Sequence, residues 1–218
     1  MVRGRKKEMK NNSVTDIEMR DGMNRWERGW KRFFDIIFSL LGLIVLSPLI
    51  LTIYLALRFK GVTSVFFRQE RIGYKGKPFE IIRFRTMRPD AEKDGPRLAE
   101  EDDERIMPVS RYLRTHHLDE LPQLWNVLKG DMSFVGPRPE RRYFIDQIMK
   151  HDADYVYIYR MRPGLTSMAT LYNGYTDTME KMLQRLRMDL DYFRRRSFWL
   201  DVKIVLTTLC FIVNGKKF

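Results

Sequence analysis

A run of 22 residues without a charged side chain, residues 36–57, constrains this chain more than any other feature. It reads IIFSLLGLIVLSPLILTIYLAL. A continuous helix of that length would measure about 33 Å, enough to cross a hydrocarbon core of about 30 Å. A buried core helix rarely needs apolar residues on every face. A secretory signal would begin nearer the amino terminus and end in small residues. The run therefore predicts a membrane-embedded segment.

Ser47 and Pro48 interrupt the centre of this run. Proline removes a backbone donor and clashes with the preceding turn, so it kinks or breaks a helix. The Ser47 hydroxyl would then satisfy carbonyls that the break frees.

Basic residues flank the run on both sides, and such residues prefer the cytoplasmic side of a membrane. They are Arg25, Arg28, Lys31 and Arg32 before it and Arg58, Lys60, Arg68 and Arg71 after it. One crossing would leave one cluster on the wrong side, whereas a reversal at Ser47-Pro48 keeps both cytoplasmic. We therefore predict a re-entrant helix over residues 25–60, with a kinked spanning helix as the alternative.

The net charge of +12 requires an acidic partner. Residues 90–104 hold eight acidic and two basic residues, so the rest of the chain carries +18. The acidic stretch is typical of an exposed loop or helix face. No recognisable nucleic-acid module is present and much of the charge flanks apolar segments, so we expect anionic lipids as partners rather than nucleic acid. The single Cys210 excludes a disulfide-stapled domain.

The remaining patterns predict an α+β, mainly α fold: a re-entrant membrane helix hairpin plus a cytoplasmic domain with a short β-hairpin and interfacial amphipathic helices. Two short strands are expected around Gly73 and Gly76, and helices over residues 140–150 and 178–196. The apolar tail, residues 198–213, includes two charged residues, so we expect a helix in the membrane interface with Trp199 at headgroup level. Residues 1–24 are predicted to form a flexible basic arm, and residues 61–218 one cytoplasmic-face domain.

Residues 118–139, LDELPQLWNVLKGDMSFVGPRP, are the most informative stretch. Apolar side chains recur at helical spacing, Pro122 suits a first turn and Gly130 suits a helix end. A short helix is therefore expected to begin near Asp119. Asp119 and Glu120 would then lie at a helix amino terminus, where amide donors stabilise anions, including an incoming phosphate. Ordinary helix capping explains the same pair.

Arginines near this stretch favour a diphosphate site. Arg138 lies between two prolines, which hold it stiffly for a bidentate phosphate contact, while Arg114 and Arg162 are further candidates. A carboxylate pair also suits Mg²⁺, which uses one or two carboxylates together with phosphate oxygens. Surface ion pairs explain single arginines equally well. His116 and His117 complete no metal motif, so we interpret both as structural or solvent-facing.

Several long motifs in one order resemble the bacterial sugar transferase family, the monotopic phosphoglycosyl transferases that begin glycan assembly on polyprenol phosphate. The resemblance spans roughly residues 28–213. Its most specific parts are KRFFDIIFSLLGLIVLSPL, FFRQERIGYKGKPFEIIRFRTM, LDELPQLWNVLKGDMSFVGPRP and RPGLT. Arg83 stands where this family usually has Lys, and Ser110 where it often has Gly. The resemblance also implies a minimal catalytic unit, since no further apolar span precedes residue 36.

The resemblance implies a re-entrant break at Ser47-Pro48 and a role for each site residue. Asp119 would be the nucleophile and Glu120 a Mg²⁺ ligand. Arg138 would bind phosphate, with Arg114, Arg162 and the divergent Arg83 as further substrate-binding candidates. The implied partners are a UDP-sugar donor and polyprenol (undecaprenyl) phosphate, with UMP released at the cytoplasmic face of the bacterial inner membrane. The sugar, the glycan pathway and a homodimer are left open.

Overall fold

The computed structural model describes residues 19–93, 95, 97–98, 103–174 and 176–214, without the side chain of Val213. This part is mainly helical with two small two-stranded sheets, which confirms the predicted α+β composition. The helices are α1 (Arg25–Phe59), α2 (Arg111–Thr115), α3 (Gln123–Lys129), α4 (Arg142–His151), α5 (Met168–Tyr172), α6 (Met179–Arg195) and α7 (Phe198–Val213). The strands are β1 (Phe66–Ile72), β2 (Pro78–Phe84), β3 (Ser133–Val135) and β4 (Gly164–Thr166).

Helix α1 is 35 residues long and begins at a capping box, in which Asn24 and Glu27 each bond the backbone N–H of the other. By length and composition it could cross a membrane, and 11% of its most apolar window is buried within the protein. Pro48 lies inside the helix, which continues on both sides of it. A long apolar helix is thus confirmed, while the re-entrant hairpin stays a prediction.

The Ser47 hydroxyl replaces a backbone hydrogen bond that is missing next to Pro48. Pro48 has no N–H to donate to the Ile44 carbonyl four residues earlier. Ser47 Oγ donates to that same carbonyl oxygen at 2.7 Å. One turn later, Thr52 Oγ1 donates to the Pro48 carbonyl oxygen at 2.8 Å. The predicted role of the Ser47 hydroxyl is therefore confirmed: it replaces the hydrogen bond that proline removes.

Both ends of α1 pack against the rest of the protein. Near its start, Arg32 donates to the Val127 and Leu128 carbonyls of α3, at 2.6 and 2.8 Å. Near its end, the buried Leu57 lies in one apolar cluster with Phe84 of β2. The stretch between these two anchors carries most of the exposed apolar side chains of the helix, including Ile44, Val45, Leu49 and Leu51.

Strands β1 and β2 form the predicted antiparallel hairpin, with Gln69 opposite Ile81. Its turn passes through Lys75 and Gly76, which both have positive φ angles (59° and 69°). Both faces of β2 are covered. Ile81 packs against α3 and the start of β3, and Phe84 packs against the end of α1.

Strands β3 and β4 pair in parallel and were not predicted. Each has three residues, too few to show an alternating pattern. Their pairing joins the segment that follows α3 to the Arg-Pro-Gly turn before β4.

The main apolar core lies among α4, α6 and the 3-10 segment Ala153–Arg160. Ile145, Ile148 and Phe193 are at most 2% exposed there. The helices predicted over residues 140–150 and 178–196 are confirmed as α4 and α6.

Residues 19–24 correct the predicted extent of the flexible arm. Met19 and Met23 are buried, and the Gly22 N–H donates to the Phe193 carbonyl of α6 at 3.0 Å. Asp21 forms an ion pair with Arg196 at 2.6 Å. These residues belong to the folded body, and the rest of the predicted arm, residues 1–18, lies outside the described residues.

Helix α7 is tied to α1 at its buried side. Asp201 pairs with Lys31 of α1 and accepts a hydrogen bond from the Tyr192 hydroxyl. Trp199 is 77% exposed, and Leu206 and Leu209 are also exposed. The predicted helix is therefore confirmed, and its placement in the membrane interface stays a prediction.

Much of the acidic stretch lies outside the described residues. The described parts form turns over residues 89–93 and 104–105 rather than a helix. Glu92 pairs with Arg141 at 2.5 Å, and Asp103 is buried against Arg105. Part of this segment therefore packs on the protein instead of being an entirely solvated loop.

Candidate active site

Asp119 and Glu120 lie in a tight 3-10 turn, Leu118–Glu120, between helices α2 and α3. The sequence predicted a helix beginning near Asp119, but α3 begins at Gln123. His117 adopts a left-handed backbone conformation (φ 54°, ψ 19°), so the chain reverses before the acidic pair. The pair is therefore positioned by the turn and by its neighbours, not by the first turn of α3.

The two residues that the sequence predicted at the ends of this helix, Pro122 and Gly130, do flank α3. Pro122 immediately precedes the helix, where its missing N–H costs nothing. Gly130 follows the last residue with φ of 100°, the left-handed conformation that ends many helices.

Asp119 is buried, Glu120 is partly buried, and both face arginines from distant parts of the chain. Asp119 is 4% exposed. Arg83, near the end of β2, places Nη1 2.9 Å from Glu120 Oε1 and 3.9 Å from Asp119 Oδ2. Arg138 Nη1 lies 3.9 Å from the same Glu120 oxygen. The structure thus gathers the acidic pair, Arg83 and Arg138 at one place.

The two carboxyl groups have different pKa values. Burial and the Glu120 charge raise the pKa of Asp119 from 3.8 to about 6, although Arg83 and Arg114 act in the opposite direction. Burial also favours a higher pKa for Glu120, but Arg83 and Arg138 outweigh it, so the pKa of Glu120 is lowered. Glu120 is therefore a carboxylate at neutral pH, while Asp119 titrates just below neutrality.

Arg114 and the two histidines surround the turn. Arg114, on α2, is close enough to lower the pKa of Asp119. His116 is exposed and stacks on Tyr112 with ring centres 4.1 Å apart, as expected for a solvent-facing residue. His117 is half-buried beside Glu120, and burial lowers its pKa despite that negative neighbour. His117 therefore belongs to the surroundings of the site as a neutral imidazole.

Arg138 is positioned by contact between two glycines. The Gly164 N–H donates to the Pro137 carbonyl at 2.9 Å. A Cβ at Gly136 would lie 2.2 Å from the Arg162 carbonyl oxygen, and a Cβ at Gly164 would lie 2.2 Å from the Gly136 nitrogen. Only glycines permit this approach. The Gly-Pro-Arg-Pro and Arg-Pro-Gly motifs therefore form one structural unit.

The side chain of Arg162 has its contacts elsewhere. Its Nε donates to the Gly130 carbonyl at 3.0 Å, and its guanidinium lies 5.1 Å from the centre of the Tyr74 ring. Gly130 is at the end of α3 that lies away from Glu120. The structure thus does not place Arg162 with the acidic pair, and its role as a substrate-binding helper stays a hypothesis.

The acidic pair suits a divalent cation that binds together with phosphate. Among the residues that the structure describes, no group of three or more His, Cys, Asp or Glu side chains could hold a metal ion. Mg²⁺ does not require such a group, since one or two carboxylates suffice when phosphate oxygens and water complete its shell. Asp119 and Glu120 fit this donor set, with Glu120 as the member that stays ionised.

Behind Arg138 lies a buried ionic group that the sequence did not predict. Glu140 pairs with Arg185 at 2.9 Å and with Arg71 at 3.4 Å. These residues come from a loop, α6 and β1, so no spacing links them. The one local signal is an acidic residue directly after the Pro-Arg-Pro turn.

Comparison with known proteins places these motifs in context. Over residues 26–215 the sequence matches the family model described as Bacterial sugar transferase. A UDP-glucose:undecaprenyl-phosphate glucose-1-phosphate transferase of Caulobacter vibrioides is 42% identical over 183 residues, covering 82% of this chain and 68% of that protein. The exopolysaccharide production protein ExoY of Sinorhizobium fredii is 35% identical over 194 residues, covering 82% and 83%.

Other relatives are longer. A UDP-N-acetylgalactosamine-undecaprenyl-phosphate N-acetylgalactosaminephosphotransferase of Aeromonas hydrophila is 36% identical over 185 residues, which cover 85% of this chain but 44% of that protein. The chain therefore spans less than half of that relative. Proteins named for two different sugars are similar to it to a comparable degree.

Proposed function

Because this chain belongs to the bacterial sugar transferase family, we propose that it transfers a sugar-1-phosphate from a UDP-sugar to polyprenol (undecaprenyl) phosphate and releases UMP. The family predicted from the motifs is confirmed. The names of the relatives support the donor and acceptor classes. The observation that carries the proposal is the pair formed by the buried Asp119 and the partly buried Glu120, which faces Arg83 and Arg138.

In the first step, an Asp119 carboxylate oxygen attacks the phosphorus of the sugar-bearing phosphate. The bond from that phosphorus to the oxygen bridging the two phosphates breaks, and UMP leaves with the electron pair. The phosphosugar is then covalently bound to Asp119. With its pKa raised to about 6, Asp119 is ionised at neutral pH yet more basic than an ordinary carboxylate, which favours nucleophilic attack.

In the second step, a phosphate oxygen of polyprenol phosphate attacks the same phosphorus. The bond to Asp119 breaks, the carboxylate leaves with its electron pair, and polyprenyl diphosphate sugar is released. The nucleophile of each step is an anion at neutral pH, so neither step needs a general base. A neutral His117 beside the site agrees with this chemistry.

The arginines offset the repulsion between an anionic nucleophile and a diphosphate. Arg83 is partly buried beside both carboxyl groups, which keeps a positive charge next to the attacking oxygen. The Arg138 side chain is 35% exposed, so its guanidinium is accessible to a phosphate. Mg²⁺ bound at Glu120 would supply further electrostatic stabilisation of the phosphate oxygens.

The packing of α1 supports a re-entrant helix at the cytoplasmic face of the bacterial inner membrane. A straight helix would separate Arg32 from Leu57, 25 residues further along, by about 38 Å. Instead Arg32 near one end bonds α3, and Leu57 near the other end packs with Phe84 of β2, a strand that itself contacts α3. A helix bent at Pro48 satisfies both contacts and keeps both basic flanks on one side.

The exposed apolar surface supports contact with lipid. Ile44 and Val45 of α1 are 61% and 70% exposed, more than a soluble surface would favour for adjacent residues. On α7, Trp199 and Leu206 are also exposed. We place α7 in the membrane interface, with anionic headgroups near the basic flanks of α1.

A UMP-release screen tests the proposed function. Membranes containing the protein are supplied with Mg²⁺, polyprenol phosphate and one UDP-sugar at a time. We expect UMP from at least one donor and, without polyprenol phosphate, a mass increase equal to one phosphosugar. Absence of UMP with every donor would instead indicate a non-catalytic membrane scaffold that has kept the fold.

A further inference from the structure

Glu140 is a buried carboxylate held between two partly buried arginines, whose side chains are 20% (Arg71) and 13% (Arg185) exposed. It is 8% exposed. Its Oε1 lies 2.9 Å from Arg185 Nη1 on α6, and its Oε2 lies 3.4 Å from Arg71 Nη1 on β1. The ion pairs that usually occur on protein surfaces are exposed and weak, whereas burying three charges is costly unless they are well paired. This arrangement therefore calls for an explanation beyond stability.

Strand β1 also forms hydrogen bonds with the backbone at Pro139 and Glu140. Arg71 Nη1 also donates to the Pro139 carbonyl at 3.1 Å. The Ile72 N–H donates to the Glu140 carbonyl at 3.0 Å. Strand β1 thus holds both residues that follow Arg138, and Pro139 removes most of the remaining backbone freedom.

Arg71 and Arg185 interact electrostatically with Arg138. Burial lowers the pKa of Arg71 to about 10, with Glu140 opposing and Arg138 among the cations that add to the effect. Burial likewise lowers the pKa of Arg185, and Arg138 again contributes after Glu140. Arg138 therefore lies close enough to Arg71 and to Arg185 to be repelled by each, and Glu140 is the carboxylate paired with both of those arginines.

We propose that Glu140, clamped by Arg71 and Arg185, is a positioning residue that holds Arg138 toward Glu120 and the substrate diphosphate. This inference rests on the proposed function, in which Arg138 binds phosphate. Glu140 itself contacts no substrate. It acts by fixing the turn that carries Arg138 and by neutralising the two cations behind it.

Removing the charge of Glu140 would displace Arg138 outward. A glutamine would leave the partly buried Arg71 without its paired carboxylate and would leave Arg185 facing Asp189, and the new amide nitrogen would face one of the two guanidiniums. The cavity on the inner side, lined by Arg138, Glu140, Arg185 and Asp189 among others, has a volume of about 20 Å³, room for about one water. The guanidiniums cannot separate inward, so repulsion moves Arg138 away from Glu120.

A double-mutant cycle tests this role. We expect Glu140→Gln to lower kcat/KM for UMP release about tenfold or more, chiefly through a higher KM for the UDP-sugar. Arg138→Ala removes the group on which Glu140 acts. In that background Glu140→Gln should change kcat/KM by less than about threefold, because residues acting through one another are not additive.

Conservative and surface variants complete the test. Glu140→Asp keeps the charge and should recover most of the lost kcat/KM. Glu80→Gln, at an exposed pair with Arg68 on the same hairpin, should behave as wild type. If Glu140→Gln fails to fold, the cycle is run with Arg185→Lys, which keeps the charge but loses the guanidinium.

Three results would distinguish a failure of the positioning role from a failure of the proposed function. Equal losses with and without Arg138 would overturn the positioning role, since Glu140 would then act on the fold as a whole. Unchanged KM in Glu140→Gln would do the same. A wild-type protein that releases no UMP would overturn the proposed function itself, and the inference with it.

Discussion

The guanidinium of Arg83 lies 2.9 Å from Glu120 and also reaches within 3.9 Å of Asp119. One partly buried cation from strand β2 therefore lies beside both members of the acidic pair. It keeps Glu120 ionised and limits the rise in the pKa of Asp119, which burial and Glu120 produce.

Replacing the nucleophile should abolish turnover. Asp119→Asn has nearly the same size, but a neutral amide cannot form the covalent phosphosugar. We expect UMP release to fall at least about a thousandfold and the covalent adduct to disappear, with membrane association unchanged. Asp146→Asn, at an exposed position of α4, is the control. Substantial turnover by Asp119→Asn would refute the assignment.

The charge of Arg83 should matter more than its shape. Arg83→Ala would leave the acidic pair with less positive charge beside it, so we expect kcat/KM for UMP release to fall about a hundredfold. Arg83→Lys, which keeps the positive charge, should retain activity within about tenfold. Arg68→Ala, exposed on the partner strand, is the matched control. Equal losses in the Ala and Lys variants would show that the guanidinium shape, not the charge, is required.

Activity should fall at acidic pH because Asp119 must be ionised. Its pKa is about 6, so kcat/KM for UMP release should be constant above about pH 7 and decrease toward tenfold per unit well below pH 6. Arg114→Ala removes a charge that lowers this pKa and should move the decline to higher pH. A rate that rises on acidification would contradict the role of Asp119.

Arg138 and Arg162 should differ in their effects. Arg138→Ala removes a guanidinium next to Glu120, so we expect a rise in KM for the UDP-sugar of about tenfold or more. Arg162→Ala removes contacts with Gly130 and Tyr74, so we expect a lower melting temperature and a change in KM of less than about threefold. Steady-state kinetics and thermal unfolding of both variants distinguish a substrate-binding role from a structural one. An equal rise in KM would return Arg162 to the substrate site.

The two ends of α1 should lie on one side of the membrane. In a Cys210→Ser background, single cysteines are introduced at Gly29, where a side chain meets no atom within 4 Å, and at the exposed Lys60. A membrane-impermeant thiol reagent should label both from the cytoplasmic side. Labelling from opposite sides would establish a kinked spanning helix instead.

Local patterns account for what could be predicted. The uncharged run predicted α1, and Ser47 next to Pro48 predicted the hydroxyl that replaces the missing backbone bond. Alternating residues around Gly73 and Gly76 predicted the hairpin. In each case the interacting groups lie within a few residues of one another, so periodicity and backbone chemistry decide the outcome.

Long-range contacts account for what was missed. Strands β3 and β4 have three residues each, and their pairing depends on two glycines that are far apart in the chain. The clamp of Glu140 by Arg71 and Arg185 joins three separate segments. Arg162 belongs to a motif next to that of Arg138 in space, yet its side chain extends to the opposite end of α3.

The sequence by itself determined that this chain carries a long apolar helix, an adjacent acidic pair and an excess of positive charge. Only the tertiary structure decided which of its many arginines face that pair. A side-chain pattern restricts the conformation of its own segment, whereas the meeting of Arg83, Arg138 and Glu120 depends on how separate segments pack. Burial at that meeting point then sets the pKa of Asp119, a property that no local pattern contains.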